Sequence, residues 1–420
     1  MTNSIEKPKV SIIGAGVSGL VAALQLEKMG YDPVIFEADS QVGGRVQTDL
    51  VEGYQLDRGF QVLLEAYPKA KQYLDYEALD LQKLDDGALL YHDGKGQRFG
   101  DPRRDRKFLV PTITTGHATL LDKWKVFSLN NQLAGKDISE VFEAQSQTTL
   151  SYLQEKQFSA KVINSFFRPF FSGIFLEPEL ATSSRMFEFV FKMFGEGSAV
   201  IPKKGMGAIP QYLQSQLRRT TIHFNTKVQQ VLGTDILLDS GELRTTDFTI
   251  VASNPEGIIP NYASSLEWRA CDTLYFTTSS KKFTEPIIGL NTHEDRLANN
   301  LFYPTSIECE TKGAHELLSV TVVKAHSHSS NELVAEVTQE LSKDFGISDL
   351  TFLKHYRIGH ALPRVEDLQA EREAGEQLLT ERIALAGDYL LNGSLNAAME
   401  SGEKAAEVAN ATLQNNFIKV

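Results

Sequence analysis

An α/β fold is predicted, in which a parallel-sheet domain assembled from three separated stretches carries an inserted α+β domain. Three observations lead there. The chain opens with Val10-Ser11-Ile12-Ile13, a β-branched run, then Gly14-Ala15-Gly16-Val17-Ser18-Gly19, a helical pattern and a second strand ending on Glu37. That order is the Rossmann-like dinucleotide-binding unit. Near the other end a buried strand, Ile383-Ala384-Leu385-Ala386, ends in Gly387-Asp388 and leads through a small-residue turn into a long helix. Between them lie a phenylalanine-rich helical stretch and several alternating strands, and 420 residues exceed one ordinary core.

Each N-terminal glycine has its own mechanical role. Gly14 permits the tight turn, Gly16 lets backbone approach a pyrophosphate, and Gly19 lets the helix pack close to the strand. The amides of Val17 and Ser18 open that helix, where unpaired N–H groups and the positive dipole end favour an anion. Glu37, followed by Ala38, sits at the tip of the second strand, where a carboxylate accepts from both ribose hydroxyls and repels a 2′-phosphate. FAD and NAD are both compatible with it; NADP is disfavoured.

Composition narrows the partners. Hydrophobic content of 42% and charged content of 23% are those of a soluble globular protein, and a net charge of −12 argues against nucleic acid. The longest charged cluster, Arg103-Arg104-Asp105-Arg106-Lys107, reads as a solvated loop. The start lacks a signal-peptide core and no run is long enough to span a membrane, so a cytoplasmic location is expected, with transient membrane contact and oligomeric state left open. Cys271 and Cys309 are far apart and read as buried thiols, not a disulfide or a zinc site. His326 and His328, among serines, read as an exposed loop, and no metal site is expected.

After Glu37 comes Gln41-Val42-Gly43-Gly44-Arg45, in which two glycines bring backbone close to a ligand and an arginine offers a forked, permanently charged donor. With the preceding motif, this loop resembles the flavin amine oxidase, protoporphyrinogen oxidase and phytoene desaturase superfamily. The resemblance shifts the cofactor from NAD to FAD. The family pattern has a basic residue where Gln41 stands. Leu56-Asp57-Arg58-Gly59-Phe60-Gln61 resembles the family loop beside the isoalloxazine ring, which implies Gly59 and Phe60 against the flavin. Val228 matches a residue whose backbone reaches the adenine. By the same resemblance Asp388 binds the ribityl chain, and the amides near Leu395 and Asn396 face the flavin N1 and O2 edge.

Residues 67–84 read as a helix, and Leu89-Leu90-Tyr91 with Gln97-Arg98-Phe99 as a hairpin. Residues 117–165 read as helical. Phe166, Phe167, Phe170, Phe171, Phe175, Phe187, Phe189, Phe191 and Phe194 follow, suited to an apolar pocket or a helical core, with Arg168 as a polar handle. Residues 264–353 alternate as antiparallel strands, with a helix over 332–343 packed on them. His360 is a candidate for facing the flavin cavity. Small residues at Ala398, Gly402, Ala405 and Ala409 give the last helix a face for close packing. The FAD-binding domain is expected over 1–90, 202–262 and 357–420, the substrate domain over 91–201 and 263–356.

The resemblance does not name a substrate. Amine oxidases of the superfamily commonly carry a lysine near flavin N5 and an aromatic pair around the amine. No lysine occurs around residues 273–276, and Asn392 and Ser394 stand where aromatics are expected. An FAD-dependent oxidoreductase taking a hydride from a small, apolar, isoprenoid-like or polycyclic molecule is therefore the first expectation. A peroxide-producing amine oxidase is the second, and non-redox or structural use of the flavin the third.

Overall fold

The computed structural model describes residues 7–100, 116–263 and 266–417; the basic cluster at 103–107 lies outside the described residues. The chain enters through β1 (Val10–Ile13), α1 (Val17–Lys28) and β2 (Val34–Phe36). It leaves by β3 (Gly87–His92), β4 (Lys95–Gly100), α2 (Leu120–Ala134), α3 (Arg168–Phe175) and α4 (Ser184–Glu196). It returns with β5 (Thr221–His223) and β6 (Phe248–Val251). A second excursion follows through β7 (Glu267–Thr278), β8 (Ile288–Asn291), β9 (Ala298–Phe302), β10 (Glu316–Val322), α5 (Ser330–Glu340) and β11 (Thr351–Arg364). The chain closes with β12 (Leu378–Thr380), β13 (Ile383–Leu385) and α6 (Leu395–Phe417).

The first sheet has the order β5-β2-β1-β6-β13-β12, parallel except for the edge strand β12. All four residues of β1 and of β6 are buried, as both-face coverage of parallel strands requires. At the carboxyl ends the chain turns off side by side: Gly14 N–H reaches Phe36 O at 2.8 Å, Ala252 N–H reaches Ile13 O at 2.9 Å, and Ala386 N–H reaches Val251 O at 2.9 Å. Motifs from opposite ends of the sequence thereby meet at one crevice. A Cβ at Gly19 would lie 2.1 Å from Gly14 O, so α1 packs tightly on the turn before it; one at Gly402 would lie 2.2 Å from Ser18 O, so α6 approaches α1 at a distance that only glycine permits.

The second sheet runs β11-β7-β10-β9-β8-β3-β4, antiparallel except where β8 pairs with β3. The boundaries expected at 90/91 and 356/357 fall inside β3 and β11, both strands of this sheet. The helix expected over 67–84 is much shorter. It spans only Pro68–Tyr73, Leu74 turns extended, Asp80 takes φ 48°, and Leu81–Lys83 pairs with Ala199–Pro202.

Candidate active site

A continuous cavity of about 2060 Å³ starts at the carboxyl ends of the first sheet and runs into the region between the second sheet and α2–α4. Its first end is lined by Gly14, Gly16, Val17, Ser18, Glu37 and Ala38. A Cβ built on Gly16 meets no atom within 4 Å, so at this position the backbone itself faces open cavity. Gly16 caps α1 without any side-chain bond, which leaves the helix N-terminus available to an anion. Across the gap Gly43 N–H bonds Ala15 O at 2.9 Å, and Gly44, at φ 59°, comes close to the Gly16 backbone.

Glu37 is 8% exposed and its carboxylate accepts from Ala15 N–H at 2.6 Å and Asp39 N–H at 2.8 Å. Thr226 N–H bonds Glu37 O at 2.8 Å, which brings the segment leading to Val228 against the same wall. Bare glycine backbone, an uncapped helix end and a fixed carboxylate fit the pyrophosphate and adenosine ribose of FAD.

Arg45 ion-pairs with Asp388, donates to Ala361 O at 3.2 Å, and lies 5.2 Å from the Trp268 ring centroid. Burial works against its charge, but Asp388 outweighs that and holds the guanidinium pKa above its usual value. Gly59, Phe60, Val228, Gly387, Asp388 and Leu395 all line the cavity. Gly387 N–H is held by Ser401 Oγ at 2.9 Å, and Ser394 Oγ caps α6 by accepting from Ala397 N–H at 3.0 Å. Two of the expected residues do not line it. Gly19 packs against Gly14, and the Asn396 side chain turns away to accept from Lys69 N–H at 2.9 Å.

At the far end Phe166, Phe170, Phe171, Phe175, Phe191 and Phe194 face the cavity. Phe167, Phe187 and Phe189 do not; they are fully buried core. Arg168 is not the polar handle expected of it, because its guanidinium is drawn away to Pro178 O at 2.6 Å. Arg269, bonded to Phe175 O and Thr182 Oγ1 at 2.7 Å each, lines the cavity instead. His360 also lines it, edge-on to Trp268.

Sequence reading missed a polar patch on the cavity wall: Asp49, Arg58, Lys354 and Tyr356. Arg58 binds Asp49 through two bonds of 3.0 Å, and Tyr356 OH donates to Asp49 at 2.8 Å. Burial pulls the Asp49 carboxyl upward, yet the bonds from Arg58 and Tyr356 hold it below the usual carboxylate range. The alternation of Thr48-Asp49 with Asp57-Arg58 across a short hairpin was the available signal. His326 lies in a loop between exposed Ala325 and Ser327, but turns its own side chain inward. Its side chain is 5% exposed and contacts Asp272, which also accepts from His355 at 2.6 Å and Arg357 at 3.0 Å. Cys271 is a buried thiol, pushed up to about 12 by burial and the adjacent Asp272, whereas Cys309 is only half-buried.

Fold and cavity together define a flavoprotein of the dinucleotide-binding class. The chain belongs to the flavin containing amine oxidoreductase family, whose model matches residues 17–410. It is 27% identical over 170 residues to protoporphyrinogen oxidase 2 of Arabidopsis thaliana, covering 40% of this chain and 33% of that protein. It is 32% identical over 111 residues to a 4,4'-diapophytoene desaturase of Staphylococcus aureus, covering 25% and 20%. The matched stretches thus span no more than about a third of either relative's own length. An oxidoreductase structure from Methanosarcina mazei superposes with a TM-score of 0.72 at 15% identity, covering 95% of this chain and all of that one, which shows a shared fold. Among the described residues, no helix is long and apolar enough to cross a membrane.

Proposed function

We propose that this protein takes a hydride from an apolar small-molecule substrate, isoprenoid-like or polycyclic, and that FAD receives it. The observation carrying this reading is the continuity of one cavity from Gly16 and Glu37 to the rings of Phe166, Phe170, Phe191 and Phe194. Apolar surface buried against those rings contributes about 25 cal/mol per Å². Two relatives act, by name, on an isoprenoid, 4,4'-diapophytoene, and on a polycycle, protoporphyrinogen.

In this reading the first turn of α1, with Gly14, Gly44 and Arg45, holds the pyrophosphate. Glu37 takes the ribose hydroxyls, beside Ala38, and Val228 backbone meets the adenine. Asp388, after Gly387, takes the ribityl chain. The N–H of Leu395 meets the polar edge of the isoalloxazine, with Gly59 and Phe60 beside the ring. Bound FAD supplies a two-electron acceptor; the protein orients the substrate and excludes water. The FAD-binding and substrate regions follow the two sheets.

Anaerobic mixing with isoprenoid-like and polycyclic compounds tests the proposal. Bleaching of the flavin band with formation of a desaturated product is expected. Product without any bleaching would indicate non-redox use of the flavin. Amine oxidation is the second reading, favoured by Lys354, which pairs across from Tyr275 and lines the cavity.

A further inference from the structure

Because β3 and β8 run parallel with Tyr91 opposite Asn291, the residues that follow this pair on each side come to lie next to each other. These are His92-Asp93 on one strand and Thr292-His293 on the other. The two imidazoles stack with centroids 4.2 Å apart. Asp93 Oδ1 lies 3.2 Å from His293 Nε2, and Asp93 Oδ2 lies 3.9 Å from His92 Nε2. One ligand atom from each of the three residues falls within 4.8 Å of the others, and none of the three lines the active-site cavity.

The hydrogen bonds around the cluster determine which nitrogens are free to ligate. His92 Nδ1 is 2.9 Å from Thr292 Oγ1, and the Thr292 hydroxyl donates its own proton to Tyr91 O at 2.9 Å. Thr292 Oγ1 is therefore the acceptor and His92 Nδ1 carries the proton, so in neutral His92 the Nε2 lone pair faces the carboxylate side. His293 Nε2 is a buried atom with no hydrogen bond. Two ring nitrogens and a carboxylate gathered in this way call for a positive charge among them, which a ring proton or a bound metal cation supplies. A ring N–H tied to an acceptor is also how a metal-ligating histidine has its tautomer and orientation fixed. The scaffold is held in place as well: Gly94 N–H bonds Asp344 O at 2.8 Å and His293 N–H bonds Asn291 Oδ1 at 3.1 Å.

We propose that His92, Asp93 and His293 form a binding site for a divalent first-row transition ion of the zinc type, its remaining positions filled by water. The ion clasps the β3–β4 turn to the loop after β8. The probe is zinc chloride, titrated at pH 7.5 into untagged full-length protein stripped with a chelator, in competition with a chromophoric ligand. One zinc per chain is expected. Affinity should fall at least tenfold in His92→Ala and His293→Ala. It should fall by roughly tenfold in Thr292→Val, which removes the acceptor of the His92 proton while leaving every ligand in place. Zinc should raise the Tm of the wild type and not that of the histidine variants, with circular dichroism verifying that all are folded. Binding well below one zinc per chain, or equal affinity in the wild type and both histidine variants, would overturn the site.

Discussion

Glu37 shows how a single side chain is committed before any ligand arrives. Each of its carboxylate oxygens takes one backbone donor, Ala15 N–H or Asp39 N–H, and the residue also lines the cavity. A hydrogen bond to a charged group contributes about 1.5–3 kcal/mol. Glu37→Ala is therefore expected to raise the FAD dissociation constant about 10–100-fold, read from flavin fluorescence released on dilution. Equal retention in the variant would count against the assignment. Asp57 is the opposite case. It accepts from Thr48 Oγ1 and from Met206 N–H at 2.9 Å, yet burial pushes its pKa up to about 6. With the folded pKa above the unfolded value of about 3.9, its stabilising contribution is full below pH about 4 and is lost as pH rises through about 6. Asp57→Asn keeps an acceptor oxygen for both donors. It should raise stability at pH 7–8 by on the order of 2 kcal/mol and flatten the dependence between pH 4 and 6. Parallel thermal melts of both proteins across that range check this, and superimposable slopes would refute it.

Among the elements, the α1–α6 contact rests on backbone that cannot give way. The Cβ of Gly402→Ala would come within 2.2 Å of Ser18 O, so the helices must separate. Overpacking of this kind costs about 1–3 kcal/mol, and because α1 also presents its first turn to the cavity, FAD occupancy should fall along with Tm. A variant with unchanged Tm and flavin content would show that the contact relaxes. The α6 half of this contact was legible in the sequence, since small-residue periodicity is a local signal; its partner on α1 was not. What stayed illegible depended on partners outside the local pattern. The His326 side chain looked exposed because Asp272, which it meets, lies 54 positions away. Arg168 looked like a site cation until Pro178 O claimed it, and the 67–84 helix was cut short by pairing with Ala199–Pro202, far along the chain.

At the scale of the whole molecule, the cavity joins two surfaces of different character, and their combination bears on the substrate. Near the C-terminal turn Asn392 donates to Gln369 O at 2.9 Å and accepts from Ser394 Oγ at 2.7 Å. Both residues line the cavity where an amine cage would need aromatic rings. Oxidising an amine requires its neutral nitrogen and C–H bond to be held in one orientation, and losing such positioning can remove several kcal/mol of catalysis. Lys354 does not supply the missing cage: its ammonium lies 5.6 Å from the Tyr356 ring centroid, on the wall that also carries the Asp49–Arg58 pair. Simple primary amines are therefore expected to reduce the flavin at least 100-fold more slowly than the best compound of an isoprenoid-like panel, about 3 kcal/mol of barrier. Anaerobic stopped-flow absorbance with both panels measures the ratio. Fast bleaching by a primary amine, with hydrogen peroxide formed once air is readmitted, would reverse the preference and make the lysine-bearing wall beside Tyr275 the place to look for the reacting amine.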